Sequence, residues 1–85
     1  MQSQKFRKVY IDVNTMMRKD GMVIPKFFIW EDGEKYTIDR VVYITPAASL
    51  KVGGRGIRYT AMINGQERYL FREEDRWFVE AKAME

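Results

Sequence analysis

Apolar and polar residues alternate along most of this chain, and this period of two is the feature that most limits its fold. Successive side chains of a strand point to opposite faces, so alternation produces one apolar face and one polar face. In KVYIDVNT, for example, Val9, Ile11 and Val13 fall on one face. Further strand patterns occur in VIPKFFIW, EDGEKYTIDRVVYI, GIRYTAMI, RYLFRE and RWFVEAKA. With 85 residues, the chain is predicted to form one all-β domain, a five- or six-stranded antiparallel meander.

The first hairpin is predicted in IWEDGEKY. A two-residue type I′ turn at Asp32-Gly33 pairs Ile29 with Tyr36 and Phe27 with Ile38, which collects four apolar residues on one face. A three-residue loop would mix apolar and charged partners on both faces. The two-residue turn is therefore preferred.

The second hairpin is predicted in AMINGQERYLF, around Asn64-Gly65. A strict two-residue turn would place arginines beside the apolar stripe. A type I turn with the glycine in a left-handed bulge position shifts the register by one residue and makes the apolar face coherent. In that register the outer face carries three basic side chains together: Arg58, Arg68 and Arg72.

These registers predict a core in which Trp77 is the largest member. The full predicted core is Val9, Ile11, Val13, Phe27, Ile29, Tyr36, Ile38, Ile57, Tyr59, Ala61, Tyr69, Phe71, Trp77 and Val79.

The connection between the strand patterns EDGEKYTIDRVVYI and GIRYTAMI contains TPAASL and KVGGRG. Thr45 and Pro46 fit the cap and first position of a short helical turn, and an irregular connection is the alternative. KVGGRG does not match a nucleotide-binding loop, because its third glycine opens a strand and not a helix. Its exposed backbone could still contact a phosphate of a larger ligand.

Basic residues are concentrated in the middle of the chain. The net charge is +3, but residues 40–72 carry six basic side chains and one acidic one, a local charge of +5. Such asymmetry permits an anionic partner, although Arg and Lys side chains that only solvate exposed strand faces are the preferred explanation. The candidate contacts are Lys51, Arg55, Arg58, Arg68 and Arg72.

Several aromatic residues fall outside the predicted apolar stripes, including Tyr10 and Tyr43. Exposed aromatics beside cations bind single-stranded nucleic acid by stacking, whereas local packing, such as Trp30 against Lys35, is the alternative. The candidate aromatic contacts are Phe28 and Trp30.

Catalysis and metal binding receive little support. The chain has no cysteine and no histidine, so it lacks thiolate ligands and the usual base at neutral pH. The acidic cluster from Glu73 to Asp75 resembles a solvated turn. No apolar run approaches the roughly 20 residues of a membrane span. The N-terminus MQSQKFRKVYIDV is too polar for a signal peptide. We therefore expect a cytoplasmic protein that is not an enzyme, uses no cofactor and does not contact a membrane.

Two segments resemble a known family. IWEDGEKYTIDRV and GIRYTAMINGQERYLFREEDRWFVE are similar to short bacterial proteins, common in Firmicutes, in which a W-E-D-G turn precedes an I-D-R-V strand. In that family a G-I-R-Y-T strand leads to a terminal W-F-V-E strand. The resemblance implies a small SH3-like barrel and implies no activity or functional residue.

Two functions follow from these observations. The first is a non-catalytic protein-interaction or adaptor module, because small barrels and open strand edges accept partner segments. The alternative is single-stranded nucleic-acid binding through a basic face formed by residues 51–72.

Overall fold

The computed structural model describes residues 5–48 and 55–82 and is all-β in these ranges. All paired strands are antiparallel, and no described segment is a helix that could span a membrane. The strands are β1 (Phe6–Met17), β2 (Val23–Ile29), β3 (Lys35–Thr37), β4 (Arg40–Ala48), β5 (Arg55–Ile63), β6 (Gln66–Glu73) and β7 (Arg76–Lys82). The all-β prediction is confirmed, but the expected five or six strands are seven within the described residues.

The additional strand arises from a bend in EDGEKYTIDRVVYI. Its first part pairs with β2 as β3, and its second part pairs with β5 as β4. At the bend, the Ile38 N–H donates to the Lys26 carbonyl at 3.0 Å, and the Asp39 N–H donates to the Met62 carbonyl at 2.8 Å. The chain therefore passes from one partner strand to another within two residues.

The strands form one sheet in the order β3-β2-β1-β7-β6-β5-β4. It consists of a three-stranded meander and a four-stranded meander joined by the pairing of β1 with β7. The edge strands β3 and β4 are consecutive in the chain, so the sheet must curl to bring its two edges together. The result is an antiparallel half-barrel.

The inner face of the half-barrel carries the main core. Tyr59 and Trp77 are buried with ring centroids 4.8 Å apart. The Tyr59 hydroxyl donates to the Val23 carbonyl at 2.8 Å, which ties β5 to β2 across the interior. The buried residues of this core are Val9, Ile11, Phe28, Ile38, Tyr59, Ala61, Ile63, Leu70 and Trp77.

The outer face, which is the opposite face of the sheet, carries a second apolar cluster. Phe71 and Phe78 are cross-strand partners, are buried, and stack with ring centroids 5.1 Å apart. Tyr10 contacts Phe78 edge-on, and the Lys8 ammonium lies 4.5 Å from the centre of the Phe78 ring. Strands β6 and β7 thus bury apolar side chains on both faces. The alternation of apolar and polar residues predicts only one apolar face for each strand.

The first hairpin has the loop that the sequence argument rejected. Phe28 pairs with Tyr36, not with Thr37. Gly33 has a φ of 87° and donates its N–H to the Trp30 carbonyl at 2.8 Å, as in a three-residue loop with a glycine bulge. The Asp32 carboxylate accepts the Glu34 N–H at 2.9 Å, and this local bond stabilises the turn.

The second hairpin is also different from the predicted one. Asn64 and Gly65 both have positive φ, at 52° and 76°, which is the requirement of a two-residue type I′ turn. Arg68 therefore pairs with Ala61, and Arg72 pairs with Ile57. The bulged register was wrong because the turn residues themselves satisfy the tighter turn.

The predicted core is partly correct in composition. Half of its members are buried: Val9, Ile11, Ile38, Tyr59, Ala61, Phe71 and Trp77. The prediction that Tyr69 belongs to the core was wrong, because the type I′ register turns this side chain to the outer face, where it is 47% exposed. Phe28, Ile63, Leu70 and Phe78 are buried and were not predicted. The helical turn in TPAASL is also wrong, since β4 continues through Ala48.

Truncating Trp77 should remove a large part of the stability. Trp77→Ala is expected to lower the free energy of unfolding by about 3–5 kcal/mol, because a buried aromatic ring is lost and a cavity remains. Chemical denaturation measures the change. Trp30→Ala, at a half-buried position, is the control and should lose less. An unchanged Trp77→Ala midpoint would contradict the placement of this ring in the core.

Gly56 should tolerate no side chain. A Cβ at this position would lie 2.0 Å from the Arg72 carbonyl oxygen and 2.9 Å from its carbonyl carbon. Because both atoms belong to the backbone, β5 and β6 would have to separate. Gly56→Ala is expected to cost about 1–3 kcal/mol of unfolding free energy, as overpacking does. A parental melting temperature in this variant would show that the strands are farther apart here.

Candidate binding groove

A groove opens on the inner face between the β2–β3 hairpin and the β5–β6 hairpin, and its volume is about 580 Å³. This volume lies in the range of small-ligand and peptide sites, and its walls are largely apolar. Aromatic and aliphatic side chains are joined by polar groups of the β5–β6 turn. The lining residues are Phe28, Trp30, Tyr36, Ile63, Asn64, Gln66, Glu67, Arg68, Tyr69, Leu70, Val79 and Glu80.

Three aromatic residues form one side of the groove. Phe28 and Tyr36 are cross-strand partners, and their rings stack with centroids 5.3 Å apart and an interplanar angle of 17°. Trp30 follows Phe28 by two positions and therefore points to the same face. Phe28 is buried, whereas Tyr36 and Trp30 are half-buried. The accessible aromatic surface of the groove thus comes from Trp30 and Tyr36.

Arg68 supplies the basic group on the opposite side. The type I′ turn puts Arg68 on the inner face, directly across from Ala61 and two residues before Leu70. Its guanidinium donates to the Gln66 side-chain oxygen and to the Glu67 carbonyl. Within residues 5–48 and 55–82, Arg68 forms no ion pair with a carboxylate.

An ion pair fixes the loop that carries Trp30. The Arg7 guanidinium on β1 donates to the Glu31 carboxylate at 2.6 Å, which links β1 to the β2–β3 loop. The hydrogen bond from Arg7, assisted by the charge of the guanidinium, holds the pKa of Glu31 below its ordinary value. Both side chains are close to half exposed, so the pair positions the loop more than it stabilises the fold.

The predicted basic face does not exist as one surface. Arg58 is on the outer face, where its guanidinium carbon lies 4.6 Å from the centre of the Tyr69 ring. Arg68 and Arg72 are on the inner face, and Arg72 lines a separate cavity with Asp20 and Met22. The prediction was wrong because it depended on the bulged register. An arginine can occupy the end of an apolar face, since its stem is apolar and its charged head reaches solvent.

Two of the predicted contacts cannot be placed on either face. Lys51 lies outside the described residues. Arg55 begins β5, but only its backbone belongs to the described part of the chain.

Trp30 is half-buried, and its role as an aromatic contact stays a prediction. Phe28 is only 7% exposed, so the expectation that its ring is exposed was wrong. Even so, the structure brings Phe28, Trp30 and Arg68 into the same groove. Tyr36 was assigned only to the core, and Leu70 was missed. The alternation of Phe28 and Trp30 is the one signal in the sequence that groups part of this set.

Among the described residues, no group of three or more acidic, histidine or cysteine side chains is placed so that it could hold a metal ion. Glu73 accepts a hydrogen bond from the Tyr10 hydroxyl at 2.9 Å and lies 3.6 Å from the Lys8 ammonium. The carboxylate of Glu73 is therefore part of the outer-face contacts.

Comparisons with known proteins leave the family open: no family model matches the chain, and no curated protein or solved structure matches it. The resemblance carried by the W-E-D-G and G-I-R-Y-T motifs stays a prediction.

The Arg7–Glu31 pair should be visible in a titration. In an NMR titration of the glutamate carboxyl groups, we expect Glu31 to titrate below its ordinary pKa and to return towards it in Arg7→Gln. The Glu31 carboxyl has a lower pKa in the folded state than in the unfolded state. The contribution of the pair to the free energy of unfolding is therefore present above the unfolded-state pKa and is lost as pH falls through the folded-state pKa. An identical Glu31 pKa in the parent and in Arg7→Gln would show that the pair does not form in solution.

Proposed function

We propose that this protein is a non-catalytic interaction module that binds an extended segment of a partner protein in the groove between its two hairpins. The observation that carries the proposal is the combination of accessible aromatic rings with an arginine that has no carboxylate partner among the described residues. A cleft of this kind, mostly apolar with a few convergent polar groups, is where ligands usually bind.

The two sides of the groove favour different parts of a peptide. Trp30 and Tyr36 present flat, partly accessible rings to an apolar side chain, and Leu70 and Val79 add aliphatic surface. Arg68 has donors beyond those that contact Gln66 and Glu67, and a guanidinium pairs well with a carboxylate. The expected ligand is an extended segment with an apolar anchor close to an acidic residue.

We also propose that the half-barrel is an SH3-like barrel, as the family resemblance implies. The bent chain that contributes both β3 and β4 supports this proposal, because small barrels use such strands to join their two halves. By analogy, aromatic-lined grooves of SH3 domains bind extended proline-rich peptides. A non-catalytic role agrees with the absence of histidine and cysteine from the sequence. The cytoplasmic location stays a prediction.

A peptide selection tests the groove directly. A phage-displayed library of random peptides is selected on the immobilised full chain, and enriched peptides are measured by fluorescence anisotropy. Trp30→Ala should weaken binding by about 2 kcal/mol or more, because it removes a central aromatic anchor. Arg68→Gln should weaken only those peptides that contain an acidic residue.

Arg72→Gln is the matched control, since it makes the same chemical change on the inner face in a different cavity. It should leave the affinity at the parental value. The proposal fails if no peptide is enriched, or if enriched peptides bind Trp30→Ala as tightly as the parent.

A further inference from the structure

Two exposed tyrosines, Tyr43 on β4 and Tyr69 on β6, form a row with Thr60 of β5 on the outer face of the sheet. Tyr43 pairs with Thr60, and Thr60 pairs with Tyr69, so the three side chains share one face. Tyr43 is 59% exposed and Tyr69 is 47% exposed, whereas Thr60 between them is buried. Two aromatic rings are therefore presented to solvent on either side of a small buried residue.

Arg58 places a cation beside this row. Its guanidinium carbon lies 4.6 Å from the centre of the Tyr69 ring. Among the residues that the structure describes, Arg58 has no carboxylate partner, and its buried Nε has no hydrogen-bond acceptor. The buried Nε is not accessible to a ligand, so the terminal amino groups of this guanidinium, which stays charged, are the donors suited to a phosphate group.

The charge of the surrounding chain points in the same direction. Residues 40–72 carry a local charge of +5. Arg40 shares the outer face with Arg58, and Glu67 is the one acidic residue in this part of the sequence. Two other cations of the outer face are engaged, since Lys8 contacts Glu73 and Arg76 lies 3.6 Å from the centre of the Tyr10 ring.

We propose that the outer-face patch formed by Tyr43, Tyr69 and Arg58 binds single-stranded nucleic acid. Unpaired bases stack on the tyrosine rings, and a backbone phosphate contacts the Arg58 guanidinium. An acidic peptide would satisfy the arginine but would leave the two tyrosines without a stacking partner. Duplex bases are already stacked on one another and cannot cover the rings. Tyr43 and Arg58 do not line the groove, whereas Tyr69 also reaches its rim. Tyr43→Ala and Arg58→Gln are therefore the variants that separate this proposal from the proposed peptide groove.

The test is fluorescence anisotropy of the full chain with a labelled oligothymidine of about 12 nucleotides. Tyr43→Ala and Tyr69→Ala should each weaken binding roughly 5- to 150-fold, the equivalent of one stacked base. Arg58→Gln should reduce the slope of log K against log salt by about 0.7, measured between about 50 and 200 mM salt. Glu67→Gln should tighten binding, because it removes a negative charge from the same face.

Trp30→Ala and Arg68→Gln are matched controls, because they make the same kinds of change in the groove and should leave oligonucleotide affinity unchanged. Far-ultraviolet circular dichroism and melting temperatures confirm that each variant is folded. If Tyr69→Ala unfolds, Tyr69→Leu replaces it, since leucine keeps apolar contact and removes the stacking ring.

Four results would overturn the proposal. The first is no measurable binding at low salt. The second is equal weakening by the groove variants and the tyrosine variants. The third is an affinity for heparin equal to that for the oligonucleotide, together with an oligonucleotide affinity that the tyrosine substitutions do not change. This result would indicate a general contact with polyanions. Displacement of the oligonucleotide by an acidic peptide whose affinity needs Arg58 but neither tyrosine would assign the patch to a protein partner.

Discussion

The structure depends on the two-residue link between β3 and β4. These strands lie at opposite edges of a seven-stranded order, and in a flat sheet the edges would be about 29 Å apart at roughly 4.8 Å per strand. Two extended residues span only about 7 Å. Ile38 and Asp39 nevertheless connect the edges, with hydrogen bonds to Lys26 on one side and Met62 on the other. The sheet must therefore curl. The apolar side chains of its inner face then form a core that this one sheet encloses.

Curling also explains why both faces of the sheet hold apolar residues. The inner face closes on itself, as the hydrogen bond from the Tyr59 hydroxyl to the Val23 carbonyl shows. The outer face cannot close, and there the Lys8 ammonium lies over the ring of Phe78, on which Phe71 stacks. Cations beside aromatic rings allow an outward-facing cluster to remain stable without a second sheet.

The two candidate surfaces follow from the same geometry. At one end of the inner face the β2–β3 and β5–β6 hairpins diverge and leave the groove that holds Trp30 and Arg68. On the outer face Tyr43 and Tyr69 stay partly accessible, and the Arg58 guanidinium lies beside the Tyr69 ring. Alternating side chains of the β5–β6 hairpin thus contribute Arg68 to one surface and Arg58 to the other.

The sequence by itself determined the all-β class, the positions of the turns at Asp32-Gly33 and Asn64-Gly65, and the burial of Trp77, because alternation and turn chemistry are local properties. The pairing pattern did not decide either hairpin register, since each places a cation opposite an apolar residue, Lys35 opposite Ile29 and Arg68 opposite Ala61, and such a pairing is acceptable only where the cation reaches solvent. That question is answered only when the sheet curls and leaves the ends of its inner face open. The tertiary structure alone therefore separated Arg58 from Arg68 and brought Phe28, Trp30 and Arg68 together.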